Sequence, residues 1–457
     1  MTHWYLKGKP YEVQTKAQEA AAGRRGFGYF LEMGLGKTAL CFNEFLNLQE
    51  MDLVDKMLVI CPQSLKEVWV EEAEEWGVVC EGDNPFVVWP KLPKDIDQYK
   101  YFAMNYESMI HSGGQFVTKY LERNRTYVVL DESIHVKNPQ AKRTKFMIGM
   151  LQNAEYVRAL SGAPIVKAPL DLWGQFRCLG AIEGFNPFAF RNHFCVMGGY
   201  LGKQIVGARN QDELTQLMDN NSFRALKKDW TDLPEQLNSS RNYEMKGDQL
   251  KQYKLMMKEF VLMLEDQVVT APMVITQAMK LQQISGGFIF DEGGEEHELV
   301  VCKDNPKLNT TLDIVNGMST KSIIFAFYKP SIRMLRTLFP EAAYIVGGQD
   351  KNDQKEQKRR FNEDDKCKLM ICQLTAGKYG HTLLGTEKVP CHTSVYYENN
   401  YDLDARIQSE ARNHRHGQHY PVTYIDLIGS PQDKKIITAL RRKMNMATSI
   451  VDAVRGG

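Results

Sequence analysis

Residues 24–42, RRGFGYFLEMGLGKTALCF, place Gly34-Leu35-Gly36-Lys37-Thr38 between an apolar run and a segment of helical character. Backbone that wraps phosphate oxygens needs glycine, because a Cβ blocks close approach of the N–H groups. Lys37 would then reach the β- and γ-phosphates of a nucleotide, and the Thr38 hydroxyl would ligate Mg²⁺. The strict phosphate-loop spacing asks for glycine at position 31, where Leu31 stands. Alone, the stretch is a weak signal, and a glycine turn before a surface helix is the alternative to it.

The residues around it add weight. Upstream, Pro10-Tyr11-Glu12-Val13-Gln14 precedes an alanine-rich helical pattern ending at Gly23, and the Gln14 amide is placed to face both edges of an adenine. Downstream, MLVICP at 57–62 reads as a buried strand, SLKEVWVEEAEEW as an amphipathic helix, and AMNYESM at 103–109 as a second such unit. Alternating strands and helices after a phosphate loop imply a parallel sheet with helices on its faces. The run Tyr127-Val128-Val129-Leu130 ends in Asp131-Glu132. A strand delivering Asp131 to its carboxyl end puts a metal-binding carboxylate beside the phosphates, with Glu132 next to it to polarise a water. Leu160-Ser161-Gly162-Ala163-Pro164-Ile165 closes a further strand.

At 457 residues the chain exceeds what one core usually supports, so two large domains are expected. The net charge of +1 gives no global basic field, and any nucleic-acid surface must be local. Nine cysteines without a Cys-x-x-Cys pair argue against a disulfide framework and a zinc ribbon. The N-terminus lacks the apolar core of a signal peptide and no run approaches transmembrane length, which points to a soluble, intracellular protein with no membrane partner.

Aromatic-rich helical segments fill 166–240, and amphipathic helices with a Met and Leu stripe fill 246–285. EGGEEHE at 292–298 reads as an exposed acidic loop and flexible junction. A second α/β pattern has strands SIIFAFY at 322–328, AAYIVGG, KLMICQL at 368–374 and SVYYEN, without a phosphate loop. In QSEARNHRHGQ at 408–418, Arg412 and Arg415 stand three apart, which on a helix would aim both at one anion. The basic runs KEQKRR at 355–360 and KKIITALRRK at 434–443 are either solvated faces or additional phosphate contacts. The second run has Ile436, Ile437, Leu440 and Met444 at helical spacing, as in a helix packed back across the lobes.

In this order the segments resemble the Swi/Snf-type ATPases of helicase superfamily 2, over nearly the whole chain. EMGLGKT at 32–38 is similar to that family's first motif, which itself departs from the strict loop spacing. CPQSLKEVW and NYES resemble its nucleic-acid backbone segments, DESIHVKN its Asp-Glu box and LSGAPI its coupling segment. RALKKDWTDLPEQ at 224–236 is similar to its basic, Leu-Pro-containing link, and KLQQISGGF to the helix that follows. QSEARNHRHGQ agrees with its last motif at Gln408, Arg412, Arg415, Gly417 and Gln418. The chain departs from the pattern at Ile134, where His is usual and His135 comes one later, and at Ala163, Lys378 and Thr382.

The resemblance implies an α/β chain of two tandem RecA-like domains, each a parallel sheet flanked by helices, with helical insertions and a C-terminal helix. The expected division is an ATP-binding lobe at 1–240, a helical insertion or linker at 241–300, a second lobe at 301–430 and a helix across the lobes at 431–457. ATP would bind on Gly34, Gly36, Lys37 and Thr38 with Gln14 and Gln408, and Mg²⁺ on Thr38 and Asp131. Glu132 would activate water, and Arg412 and Arg415 would complete the site when the cleft closes. Ser64, Lys66, Thr375 and Lys378 would touch the backbone of double-stranded DNA, with activity falling steeply as salt rises. The expected function is a DNA-dependent ATPase that translocates on duplex DNA and remodels DNA or DNA-bound protein. Its alternatives are a strand-separating DNA or RNA helicase and a nucleotide-gated clamp with little turnover; a metabolic kinase would need an acceptor domain that no segment supplies. With no reader domain or zinc module, the chain looks like a compact bacterial or viral member acting in the cytoplasm, the host's if viral.

Overall fold

The computed structural model describes residues 3–78, 86–92, 96–198, 204–230, 233–265, 271–375, 382–415 and 417–453, with backbone alone at 97, 228, 263–265, 271–275 and 443–453. Two compact units make up the chain, residues 1–232 with 443–457, and residues 233–442. No described helix is long and apolar enough to cross a membrane.

Strands of the first unit are β1 (Gly26–Leu31), β2 (Lys56–Cys61), β3 (Val87–Val88), β4 (Tyr101–Asn105), β5 (Thr126–Leu130) and β6 (Tyr156–Leu160). An antiparallel hairpin, β7 (Cys195–Gly198) and β8 (Gln204–Ala208), precedes β9 (Ser222–Ala225). Seven of these form one sheet in the order β3-β4-β2-β5-β6-β1-β9, and every pairing in it is parallel. Parallel neighbours require crossovers, and helices supply them: Lys37–Glu50 after β1, Lys66–Glu75 after β2, Ser112–Arg123 after β4 and Lys142–Met150 after β5. The central strands are apolar without alternation, as a sheet covered on both faces demands; all five residues of β5 are buried. β6 lies between β1 and β5, so the exits of all three open on one sheet edge. The phosphate loop, the Asp-Glu pair and the Ser161–Pro164 turn therefore share the carboxyl edge, where open α/β sheets bind ligands.

In the second unit come β10 (Gln236–Asn242), a hairpin of β11 (Phe288–Phe290) and β12 (Glu296–Glu298), then β13 (Lys321–Ala326), β14 (Ala343–Ile345), β15 (Leu369–Gln373), β16 (Cys391–Tyr396) and β17 (Val422–Ile428). Its sheet runs β10-β17-β16-β13-β15-β14, again wholly parallel. Period-two alternation sends Ile324, Ile371 and Val395 into one core, and Ile323, Met370 and Tyr396 into another on the opposite face. Both units are RecA-like α/β layers, with helices Gly247–Glu265 and Ala271–Gly286 inserted in the second.

Two expectations change. EGGEEHE is an ordered hairpin turn: β11 pairs with β12, and Asp291 Oδ1 accepts the Glu295 N–H at 2.9 Å. Its charges are exposed, as acidic residues at a turn must be, but it lies within the second unit, and the chain divides instead after Asp232. β10 was not legible as a strand, because QLNSSRN is polar; it lies at the sheet margin, held by backbone pairing to β17.

Candidate nucleotide and nucleic-acid site

Gly36 caps the helix Lys37–Glu50 in the left-handed region, φ 73° and ψ 38°, and Gly34 has φ 88°. No side chain caps that helix, so its first N–H groups and their partial positive charge face outward for an anion. Lys37 Nζ donates to the Leu31 carbonyl at 2.8 Å, which folds the ammonium into the loop. Gln14 is tied to the same turn: its Nε2 donates to the Gly36 carbonyl at 3.0 Å, and its Oε1 accepts the Tyr11 N–H at 2.8 Å. Uncapped amides, a lysine and glycine-only backbone together fit a phosphate chain.

Asp131 follows β5, and its N–H donates to the Ile60 carbonyl at 2.9 Å. Its Oδ2 accepts the Trp69 indole N–H at 2.8 Å, and its Oδ1 the Glu132 N–H at 2.9 Å. The Tyr106 hydroxyl donates to the Asp131 main-chain carbonyl at 2.9 Å. Burial pushes the Asp131 carboxyl above its ordinary value, opposed by the Trp69 N–H, the Lys37 charge and the Glu132 N–H. Glu132 is held at φ 51° and ψ 55°, a conformation that costs a residue with a Cβ about 1–3 kcal/mol and concentrates at functional sites. The Thr38 hydroxyl and Asp131 carboxylate are hard oxygen donors of the kind Mg²⁺ takes.

Beyond the pair, Ser133 Oγ donates to Gln175 Oε1 at 2.7 Å, and Gln175 Nε2 donates to the Pro164 carbonyl at 2.8 Å. One buried glutamine thus joins the Asp-Glu turn to the exit of β6. Ile134, at the unusual position, is buried, and His135 stacks on Tyr106 with centroids 5.2 Å apart and planes 8° from parallel.

The second-unit residues need one correction. The helix Leu403–Glu410 ends before the arginines, so Arg412 and Arg415 occupy the turn that follows it and do not share a helix face. Arg412 is 1% exposed, and Arg415 is half-buried. Gln408 is buried, its Nε2 donating to Asp404 Oδ1 at 2.9 Å one helical turn back. His414 Nε2 lies 2.9 Å from the Pro234 carbonyl, linking the arginine turn to the start of β10.

Among the expected strand contacts, Ser64 and Thr375 are exposed, and Lys378 lies outside the described residues. Lys66 does not fit that role: it is 3% exposed and its Nζ donates to the Trp89 carbonyl at 2.7 Å, so the charge is spent inside the unit. The basic run at 355–360 is partly neutralised on its own helix, where Arg359 pairs with Glu356 at 2.8 Å. Ile436, Ile437 and Leu440 are buried as their spacing predicts, while Met444 has no described side chain.

Sequence reasoning missed Trp69, Tyr106 and Gln175. Trp69 and Tyr106 stand inside CPQSLKEVW and NYES, and their only signal was a polar tip on an otherwise apolar ring.

A glycine loop with Lys37 at a helix N-terminus, sharing a sheet edge with a strand-terminal acidic pair, defines a phosphate-loop α/β protein. The SNF2-related domain matches residues 29–286, more than half of the chain, and the chain belongs to that family. It is 24% identical over 441 residues to the mouse (Mus musculus) DNA annealing helicase and endonuclease ZRANB3, covering 92% of this chain and 38% of that protein. To the Caenorhabditis elegans SWI/SNF-related matrix-associated actin-dependent regulator of chromatin subfamily A-like protein 1 homolog it is 25% identical, covering 85% and 54%. The chain thus spans under two thirds of the length of these relatives. Among solved structures, the Sulfolobus solfataricus SWI2/SNF2 ATPase core in complex with dsDNA is 20% identical with a TM-score of 0.44, covering 99% of this chain and 94% of that one.

Proposed function

We propose that this chain is a DNA-dependent ATPase that translocates on double-stranded DNA, coupling ATP hydrolysis to remodelling of DNA or of proteins bound to it. The observation that carries the proposal is Asp131-Glu132 at the end of β5, on the sheet edge that also bears the Gly34–Thr38 loop, in a chain of the SNF2-related family. The names of the relatives, a DNA annealing helicase among them, support DNA as the partner.

In this mechanism the loop N–H groups and Lys37 bind the triphosphate, and Gln14 and Gln408 recognise the rest of the nucleotide. Thr38 and Asp131 would hold Mg²⁺, which when bound would neutralise charge on the transferring phosphoryl group. Glu132 orients a water and takes its proton. Arg412 and Arg415 supply the remaining positive charge, worth about 10³ to 10⁵ in rate when aligned. Ser64 and Thr375 contact strand backbone, which carries no sequence information and suits a motor that must ignore sequence.

The test is ATP turnover without nucleic acid and with duplex DNA, single-stranded DNA or RNA, with Glu132→Gln as the control. Stimulation by duplex DNA that the control lacks supports the proposal, and triplex displacement against strand displacement then separates translocation from unwinding. Turnover indifferent to every nucleic acid removes the DNA half of the proposal.

A further inference from the structure

We infer that Trp69 and Tyr106 are positioning residues that fix Asp131 and thereby tie the two candidate strand-contact segments to the metal-binding edge of the site. The inference rests on the proposed nucleotide chemistry and adds a physical connection to it.

Trp69 lies in the first turn of the helix Lys66–Glu75, immediately after the exposed turn that carries Ser64. Its ring is buried edge-on against Phe42 of the phosphate-loop helix, with centroids 5.3 Å apart at 77°. Its indole N–H goes to Asp131 Oδ2. Tyr106 opens the turn Tyr106–Ile110 that carries the NYES segment, and its hydroxyl goes to the Asp131 carbonyl. One aromatic donor therefore holds the side chain of Asp131 and the other holds its peptide.

A core-filling role needs neither donor. Trp173, in the same unit, satisfies its N–H on the Phe185 carbonyl at 2.7 Å, as an indole buried for packing alone can. Trp69 instead meets a carboxylate, where the bond is charge-assisted and directional. An ionised carboxylate offers about four acceptor positions. Trp69 and Glu132 take two of them, which leaves the remainder for a metal-bound water. Tyr106 is itself clamped, with His135 stacked against it and the Arg143 guanidinium 5.7 Å from its ring centroid. Arg143 also pairs with Glu107 at 3.4 Å, so a strand phosphate drawing on either group would pull on the same ring. A shift of the Ser64 turn would likewise move the indole, and the carboxylate with it.

Partners of this kind, one step removed from a metal, typically change metal affinity about 10- to 100-fold when lost. The test uses the full chain carrying Tyr106→Phe, which keeps the ring and removes only the hydroxyl, or Trp69→Phe, which keeps an aromatic side chain but removes the N–H together with the pyrrole ring. Equilibrium binding of a fluorescent ATP analogue is titrated with Mg²⁺ in a Glu132→Gln background, so that no turnover enters the readout. Thermal melting and duplex-DNA affinity are measured alongside. Trp69→Phe is expected to raise the Mg²⁺ half-saturation point on the order of tenfold, with metal-free nucleotide binding and DNA affinity within about twofold of the parent. Tyr106→Phe shifts it in the same direction by less, and provides the test should Trp69→Phe fail to fold. An unchanged Mg²⁺ titration in a folded variant overturns the inference, whatever its melting temperature. If DNA fails to stimulate the parent, the proposed function falls, while the Mg²⁺ titration still decides the role of the two rings.

Discussion

The guanidinium of Arg158 on β6 and the carboxylate of Glu44 on the phosphate-loop helix meet at 2.5 Å, both buried. The Tyr29 and Tyr127 hydroxyls, from β1 and β5, each donate to Glu44 Oε2 at 2.8 Å. Three adjacent strands are thereby pinned to the one helix whose N-terminus faces the candidate phosphate site. Arg158→Leu strands the Glu44 charge in the core, and removing one partner of such a pair costs about 3–5 kcal/mol. Urea unfolding should show that loss, and Glu44→Gln should show one of the same order, because it leaves the Arg158 guanidinium buried without its counter-charge even though the amide oxygen can still accept both tyrosine hydroxyls.

Gly36→Ala should fold yet bind nucleotide poorly. A Cβ there would fall 2.2 Å from Gln14 Nε2, and the left-handed backbone adds about 1–2 kcal/mol. Equilibrium nucleotide binding beside a melting curve checks this, and an unchanged affinity would show that the Gln14 contact does not shape the loop.

Arg412→Ala should lower kcat about 10³-fold, or roughly 4 kcal/mol of barrier, with ATP affinity little changed. Arg412→Lys should not restore the rate, since an ammonium lacks the planar fork of the guanidinium. A variant whose loss lies wholly in nucleotide affinity would argue for a binding role instead.

Burial pushes the Cys178, Cys372 and Cys391 thiols up to about 12, and those of Cys41 and Cys61 well above the ordinary value. An unfolded thiol ionises near ~8.5. Below that pH both states keep the proton and these groups add no pH dependence. Above it only the unfolded chain releases the proton, so stability falls as pH rises from about 9 toward 12. Denaturant midpoints across that range should decline. Alkylation of the folded protein at pH 8, read by peptide mass spectrometry, should modify Cys302 ahead of these five, because Cys302 is only half-buried.

Much of the first unit was legible because its signals are local. The apolar strands, the loop glycines and the Asp-Glu exit each lie within a few residues, and a parallel sheet covered on both faces leaves a plain apolar run. What escaped was set by distant pairing. QLNSSRN has no apolar pattern and becomes β10 only because β17 stands beside it. Lys66 looked like a surface cation, but the Trp89 carbonyl that accepts its hydrogen bond is 23 residues away. The Arg412 turn was read as helix because the spacing continued, while the helix stops at Glu410.

β10 and β17 have a consequence for how the chain is made. Among the described residues, the first strand of the second unit finds its only sheet partner in the last strand, so Gln236–Asn242 must wait on the ribosome until Val422–Ile428 has emerged. The sheet of the first unit, by contrast, is complete once Ala225 is out. Synthesis therefore delivers the Gly34–Thr38 loop on a finished sheet while the Arg412 turn is still being translated, and a nascent chain arrested near residue 400 would carry a half-built second unit with one edge of its sheet open to the wrong strand.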